Sequence, residues 1–347
     1  MIRRVGWARC CANRHPVESA FMTEREVDNV KPAQGSPGDY ARRITRSVLM
    51  HVEGLAQEAG ASAVFIYADA LADKASVLPE ELTGKAVYVS RTGQTQADIE
   101  QAGHRCLRVP NVPLTRIGQI KVAIFLALSR DIVRPGDVIV FLAGIAESAT
   151  LDTIMITQVG REFEMYSAAE RGDELPTGVR ADVLERVLDL AAELGNEGRE
   201  GKPVGALFVV GDAENVIGMS RQLILNPFRG YEENERNLLD PALEETIKEL
   251  STIDGAFIIR GDGIVETCGA YLKTATQDEF ELPRGLGARH HAAAAIASLT
   301  DAIAITVSES TGTVTIFRQG KPITEIEKPR STARQRSRFL SGDSGSA

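Results

Sequence analysis

The sequence predicts an α/β protein of two domains, on three observations. Its 347 residues suffice for two domains that each bury their own core. Between residues 62 and 157, short and continuously apolar strands alternate with helical stretches, the pattern of a mostly parallel sheet covered on both faces. A Gly/Glu/Asp-rich break at residues 171–178 then leads into a second set of elements with hairpin signals.

Residues 1–40 are expected to be a disordered extension, with 31–38 as linker. The four arginines of residues 1–21 could be mistaken for a targeting peptide, but no long apolar core accompanies them. An upstream start codon, with Met22 as the true start, is the other ordinary explanation. From Asp39, Ile44, Val48, Leu49, Val52 and Leu55 recur at helical spacing. Strands are expected at 62–67, 85–90, 105–109, 137–142 and 153–157, and the longest helix at 114–132. The first domain is thus placed at 41–170 and the second at 178–328. The second opens with an amphipathic helix whose face is Val183, Leu184, Val187, Leu188, Ala191 and Leu194, stopping at Gly195-Asn196-Glu197-Gly198. Strand 204–210, a long polar connection and helix 241–250 follow. Strands 256–260 and 264–267 form a hairpin about Gly261-Asp262-Gly263, helix 292–299 comes next, and strands 302–307 and 313–318 make a last hairpin. Residues 329–347 read as a disordered tail, and there is no internal repeat.

Composition excludes several classes. The chain is 43% hydrophobic and 25% charged, with a formal net charge of −9, which argues against broad nucleic-acid binding. A nucleotide substrate stays open, since it needs only a few local cations. No apolar run reaches the length of a membrane span. Four scattered cysteines, Cys10, Cys11, Cys106 and Cys268, show no metal spacing and suit free thiols in a reducing cytoplasm.

The chemistry concentrates in three segments. Asp254-Gly255-Ala256 puts a carboxylate beside a residue with no side chain, which suits a metal-bound phosphate. Gly285-Leu286-Gly287-Ala288-Arg289-His290-His291 runs into an Ala-rich helix, where free N–H groups, the helix dipole and the guanidinium fork favour anions. Val307-Ser308-Glu309-Ser310-Thr311-Gly312 forms a later turn. Each has an ordinary reading by itself: Asp-Gly is a common turn, and a His pair at a helix start can be a cap.

Taken in order, these segments resemble the diadenylate cyclase (DAC) domain. That family has an Asp-Gly-Ala motif, an Arg-His-Arg motif preceded by Gly-Thr, and a Ser-Glu-Glu-Thr-Gly-like turn. The resemblance covers roughly residues 180–328 and includes Phe257-Ile258-Ile259-Arg260-Gly261-Asp262 and Thr300-Asp301-Ala302-Ile303. It implies a mixed central sheet flanked by helices, and condensation of two ATP into cyclic di-AMP with Mn²⁺ or Mg²⁺. By resemblance, Asp254, Gly255, Arg289 and His290 are catalytic, and Asp254 and Glu309 hold metal. Gly255, Ala256, Leu272, Gly287, Ala288, Arg289, His290, His291 and Ser308 contact ATP, with Leu272 at the base. Each domain would hold one ATP, so a homo-oligomer with facing DAC domains is implied.

Two positions depart from the family. Ala288 stands where Thr is common, and His291 stands where a second Arg is common, replacing a fixed charge with one that titrates. They keep a second reading open, an adenine-nucleotide or cyclic di-AMP sensor with little or no turnover. A third, DNA scanning, is disfavoured because no DNA-binding module is evident after the match.

In the first domain, Ser90-Arg91-Thr92-Gly93-Gln94-Thr95 lies between a strand and a helix, a candidate effector anion loop at Ser90, Thr92, Gly93 and Thr95. With Arg134-Pro135-Gly136-Asp137-Val138-Ile139-Val140, it resembles the C-terminal domain of pyruvate kinase over about residues 45–160. Such a domain ahead of a DAC domain is the archaeal-type layout. An N-capping loop is the plainer alternative.

Overall fold

A computed structural model describes residues 37–71, 84–145, 149–161, 178–273 and 286–327. The expected extension up to residue 36, most of the break at 171–178, Gly285, and the tail lie outside the described residues.

The first sheet follows from the apolar runs. Strands β1 (Ala63–Tyr67), β2 (Ala86–Ser90), β3 (Arg105–Arg108), β4 (Val138–Ile145) and β5 (Thr150–Gln158) lie in the order β3-β2-β1-β4-β5. All pairings are parallel except β4 with β5. Every residue of β1 and β2 is buried, as strands covered on both faces must be. Helices α1 (Pro37–Glu58), α2 (Gly93–Gln101) and α3 (Arg116–Ser129) pack on it. Helix α1 begins inside the stretch expected to be linker: Pro37 has no N–H to lose in a first helical turn.

Among the described residues the second sheet has seven strands: β6 (Ala206–Val210), β7 (Ser220–Gln222), β8 (Ala256–Ile259), β9 (Val265–Leu272), β10 (Ile303–Val307), β11 (Val314–Arg318) and β12 (Lys321–Ile326). Their order is β12-β11-β10-β6-β8-β9-β7, a mixed sheet in which only β6 and β8 pair in parallel. Helix α4 (Ala181–Glu197) covers one face and α7 (Ala288–Leu299) the other, with the short α5 (Ala213–Gly218) and α6 (Glu244–Leu250) beside them. Strand β6 shows the division: Phe208 and Val210 join the core under α4, while Leu207 and Val209 join the core under α7. The core under α4 is continuous with that of the first sheet.

Several boundaries differ from expectation. Helix α7 starts at Ala288 rather than at residue 292, because Gly287 is extended (φ −82, ψ 177) and the following residues already suit a helix. Helix α4, by contrast, ends within the expected stop, at Glu197, with Gly198 (φ +68) as its cap. Strand β9 runs five residues beyond 267, its outer edge being paired by β7, which lies in the expected polar connection. Strand β12 was not expected at all. Residues 241–250 divide into a tight turn, Pro241–Leu243, capped by Asp240, and α6.

Candidate active site

The sheet brings the three chemical segments to one end of its strands. Asp254 and Gly255 precede β8, Ala288–His291 form the first turn of α7, and Ser308–Gly312 link β10 to β11. They line one open cleft of about 1520 Å³, beyond the roughly 300–1,000 Å³ of drug-sized pockets. All eleven cleft residues expected from the sequence line it: Asp254, Gly255, Ala256, Leu272, Gly287, Ala288, Arg289, His290, His291, Ser308 and Glu309.

Arg289 stands at the centre. Its Nη2 donates to Asp254 Oδ1 at 3.0 Å and its Nη1 to Glu309 Oε2 at 3.4 Å. The guanidinium passes over the backbone of Gly205, where a methyl group would lie 2.7 Å from Nη1. Among the described residues no side chain caps α7; the N–H groups of His290 and His291 turn back to Gly287 O, and those of Ala288 and Arg289 are left for a ligand in the cleft.

Gly255 has φ +115, and a Cβ there would come within 2.6 Å of the Gly269 backbone. A glycine is therefore required, and the close approach of β8 and β9 sets the position of Asp254. The following turn is tied internally: Ser308 N–H donates to Thr313 O at 2.9 Å and Gly312 N–H to Ser308 O at 2.8 Å.

His290 has a different place from its neighbours. It is 5% exposed and sits edge-on to Phe317, ring centroids 6.1 Å apart. Burial, with a smaller contribution from His291, holds its pKa below the usual imidazole value. It offers a neutral imidazole to the cleft, whereas His291 is exposed there. Leu272 is buried at the end of β9, while Tyr271 beside it is half exposed, with the Arg221 guanidinium 4.8 Å from its ring centroid.

Sequence reasoning left out Leu223, Thr313, Glu325 and Gly205, and took Leu272 over its neighbour Tyr271. Glu325 lines the cleft from β12. Tyr271 was legible as an exposed aromatic beside Leu272; Gly205 and Glu325 carry no local signal.

The donor set suits a hard cation. Asp254 and Glu309 are exposed carboxylates converging on one guanidinium, and among the described residues no group of three or more His, Cys, Asp or Glu could hold a metal. Two carboxylates without a complete protein cage match an ion that takes its remaining ligands from phosphates and water, as Mg²⁺ does. The residues present fit such an ion.

The Ser90–Thr95 loop is filled by Asp69 and by its own helix cap. Buried Ser90 donates to Asp69 Oδ1 at 2.9 Å, the Arg91 N–H donates to Asp69 Oδ2 at 2.8 Å, and Thr92 caps α2 by accepting from Thr95 N–H at 3.3 Å. Gly93 is the first residue of α2. Among the described residues no helix is long and apolar enough to cross a membrane.

Residues 193–322 match the family described as "DisA bacterial checkpoint controller nucleotide-binding", and residues 45–165 match "Probable sensor domain DacZ_P". A diadenylate cyclase of Methanocaldococcus jannaschii is 42% identical over 202 residues, 58% of this chain and 63% of that protein. One from Haloferax volcanii is 39% identical over 203 residues, 58% of this chain and 72% of that protein. Among solved structures, DacA from Staphylococcus aureus aligns over 46% of this chain and 93% of that one, at 22% identity and a TM-score of 0.28. The likeness of residues 45–160 to pyruvate kinase rests on the sequence, and the match found there is to the sensor-domain family.

Proposed function

The chain belongs to the diadenylate cyclase family, and from that premise we propose that it condenses two ATP into cyclic di-AMP, releasing two pyrophosphates. The observation that carries the reading is Arg289, at the uncapped start of α7, reaching both Asp254 and Glu309 across an open cleft.

In each half of the reaction a ribose 3′-oxygen bonds to the α-phosphorus of the other ATP, and the bond from that phosphorus to pyrophosphate breaks. The protein's part is to position the reactants and to balance charge. Arg289 exchanges its carboxylates for phosphate oxygens, and the free N–H groups of α7 add donors along the same line. Gly287 and Ala288 leave room for the phosphate chain at the helix start. His291 and Ser308 supply outer contacts, His290 a neutral one, and Gly255 and Ala256 a backbone wall. Leu272, buried in the cleft wall, packs against the base. Asp254 and Glu309 would hold Mn²⁺ or Mg²⁺, which when bound would gather the phosphates and lower the pKa of the attacking hydroxyl.

One cleft presents one such set of groups, so two copies must face each other to close the ring. A homo-oligomer with facing cyclase domains is part of the proposal. We place it in the cytoplasm because Cys106 and Cys268 are free and buried thiols, the state a reducing compartment keeps. For the first domain we propose a regulatory part, consistent with its sensor-family match. An anionic effector would reach Ser90, Thr92, Gly93 and Thr95 by displacing the Asp69 carboxylate.

Incubation of the protein with ATP and either ion, between about pH 6 and 9, with mass spectrometry for cyclic di-AMP, tests the reading. Ala288, which brings no hydroxyl to the helix start, favours the second reading. Binding of ATP without product would select that nucleotide sensor.

A further inference from the structure

The turn bearing Ser308 and Glu309 is supported from outside its own domain. Gly312 ends the turn with φ +71, and its backbone lies against that of Gly195 in α4. A methyl group on either glycine would overlap the other's carbonyl oxygen. Beside this contact, Val112, Pro113 and Leu114, which join β3 to α3 in the first domain, close over Asn196, Gly312 and Val314. The space left there, about 10 Å³, is at the lower limit for a single water, so the seam is packed.

The rest of α4 is also fixed to the first domain. Arg130, following α3, donates to Glu185 through Nε at 2.5 Å and Nη2 at 2.7 Å, and Arg108 of β3 reaches Asp189 at 3.4 Å. Helix α3 packs on β12, whose neighbour β11 begins just after the turn. Val112 is buried, and its carbonyl accepts from Arg91 Nη1 at 3.5 Å. The Arg91 side chain thus ties its loop to Val112, and the Val112–Leu114 segment meets Gly312 at the end of the turn that carries Glu309; close-packed interiors transmit displacement rather than absorb it.

We infer that the first domain positions the phosphate-binding turn: the Val112–Leu114 segment, seated on Gly312 and the end of α4, sets where Ser308 and Glu309 stand. Leu114 is in this scheme a positioning residue, remote from substrate. The inference assigns the first domain a mechanical part in turnover, and its catalytic meaning rests on the cyclase reading.

The test is Leu114→Ala, compared with Ile99→Ala, an equal truncation in the buried face of α2 away from the seam. Leu114→Val is the milder step should the alanine variant fold poorly, and Leu114→Met the conservative rescue. Hydrogen exchange of the intact chain reads the Ser308 and Gly312 amides directly. Leu114→Ala should speed their exchange about tenfold, Leu114→Met should restore it, and Ile99→Ala should leave it unchanged. Under the cyclase reading, kcat falls in the same order, by more than the melting temperatures explain. Equal exchange in the turn for the Leu114 and Ile99 variants overturns the inference. A wild type that makes no product overturns the cyclase reading, while the exchange result still decides the seam.

Discussion

Arg289 donates to Asp254 at 3.0 Å across a cleft in which Asp254 is 90% exposed. An ion pair so open to water contributes only ~0–1 kcal/mol to folding. Its groups are held ready for a ligand rather than for stability. Asp254→Asn should therefore melt with the wild type and lose product formation. Arg289→Lys keeps the charge but loses the two-pronged fork, and should reduce kcat/KM by about 100-fold. Melting curves and product assays on the same preparations check both.

Gly205 gives a sharper geometric prediction. A methyl group there would lie 2.7 Å from Arg289 Nη1 and 3.1 Å from Glu309 Cβ. Arg289 is a flexible side chain and can move aside, so Gly205→Ala should fold normally. Displacement of its guanidinium should reduce turnover by about tenfold or more. Activity equal to wild type would show that the guanidinium position is not restrictive.

Asp189 ties stability to pH. Burial pushes its carboxyl up to about 6, although Arg108 opposes the shift. Between its unfolded value of 3.8 and about 6 the folded state binds more protons, so stability from this group falls as pH rises through that window. Two pH units correspond to at most roughly 3 kcal/mol. Asp189→Asn should melt higher than wild type at pH 7.5, with the gap closing toward pH 4. A gap that widens on acidification would contradict the assignment.

His290 has the opposite sign. Its pKa is depressed by burial, so its contribution is present above the unfolded value of 6.5 and lost as pH falls below it. NMR titration of the folded protein should find the midpoint of this imidazole below 6.5. A titration midpoint at or above 6.5 would overturn the buried placement against Phe317.

The parts of the site that were legible in the sequence are those written locally. Asp254-Gly255, Arg289-His290 and Ser308-Glu309 each border an apolar run that reads as a strand or helix, and it is the resemblance of their order to the DAC domain that joins them into one site. The alanine run at 292–299 is the plainest helix signal, yet α7 starts four residues earlier, since Ala288 and Arg289 are themselves good helix formers. Glu325 was missed with β12, a strand whose partner β11 is its own neighbour in sequence but whose register carries a bulge. The contacts of Gly205 with Arg289 and of Gly195 with Gly312 arise only when distant segments meet, and no spacing announces them. The donors of the Ser90 loop looked available because Asp69, 21 residues away, was not seen to fill it.

The most direct measurement follows ATP, cyclic di-AMP and pyrophosphate together, for wild type and Asp254→Asn, with Mg²⁺ and with Mn²⁺. In the wild type two ATP should be consumed and two pyrophosphates released per cyclic di-AMP. Asp254→Asn should stay folded and give no product. ATP bound without product by the wild type in both ions, or undiminished product from Asp254→Asn, would contradict the cyclase reading.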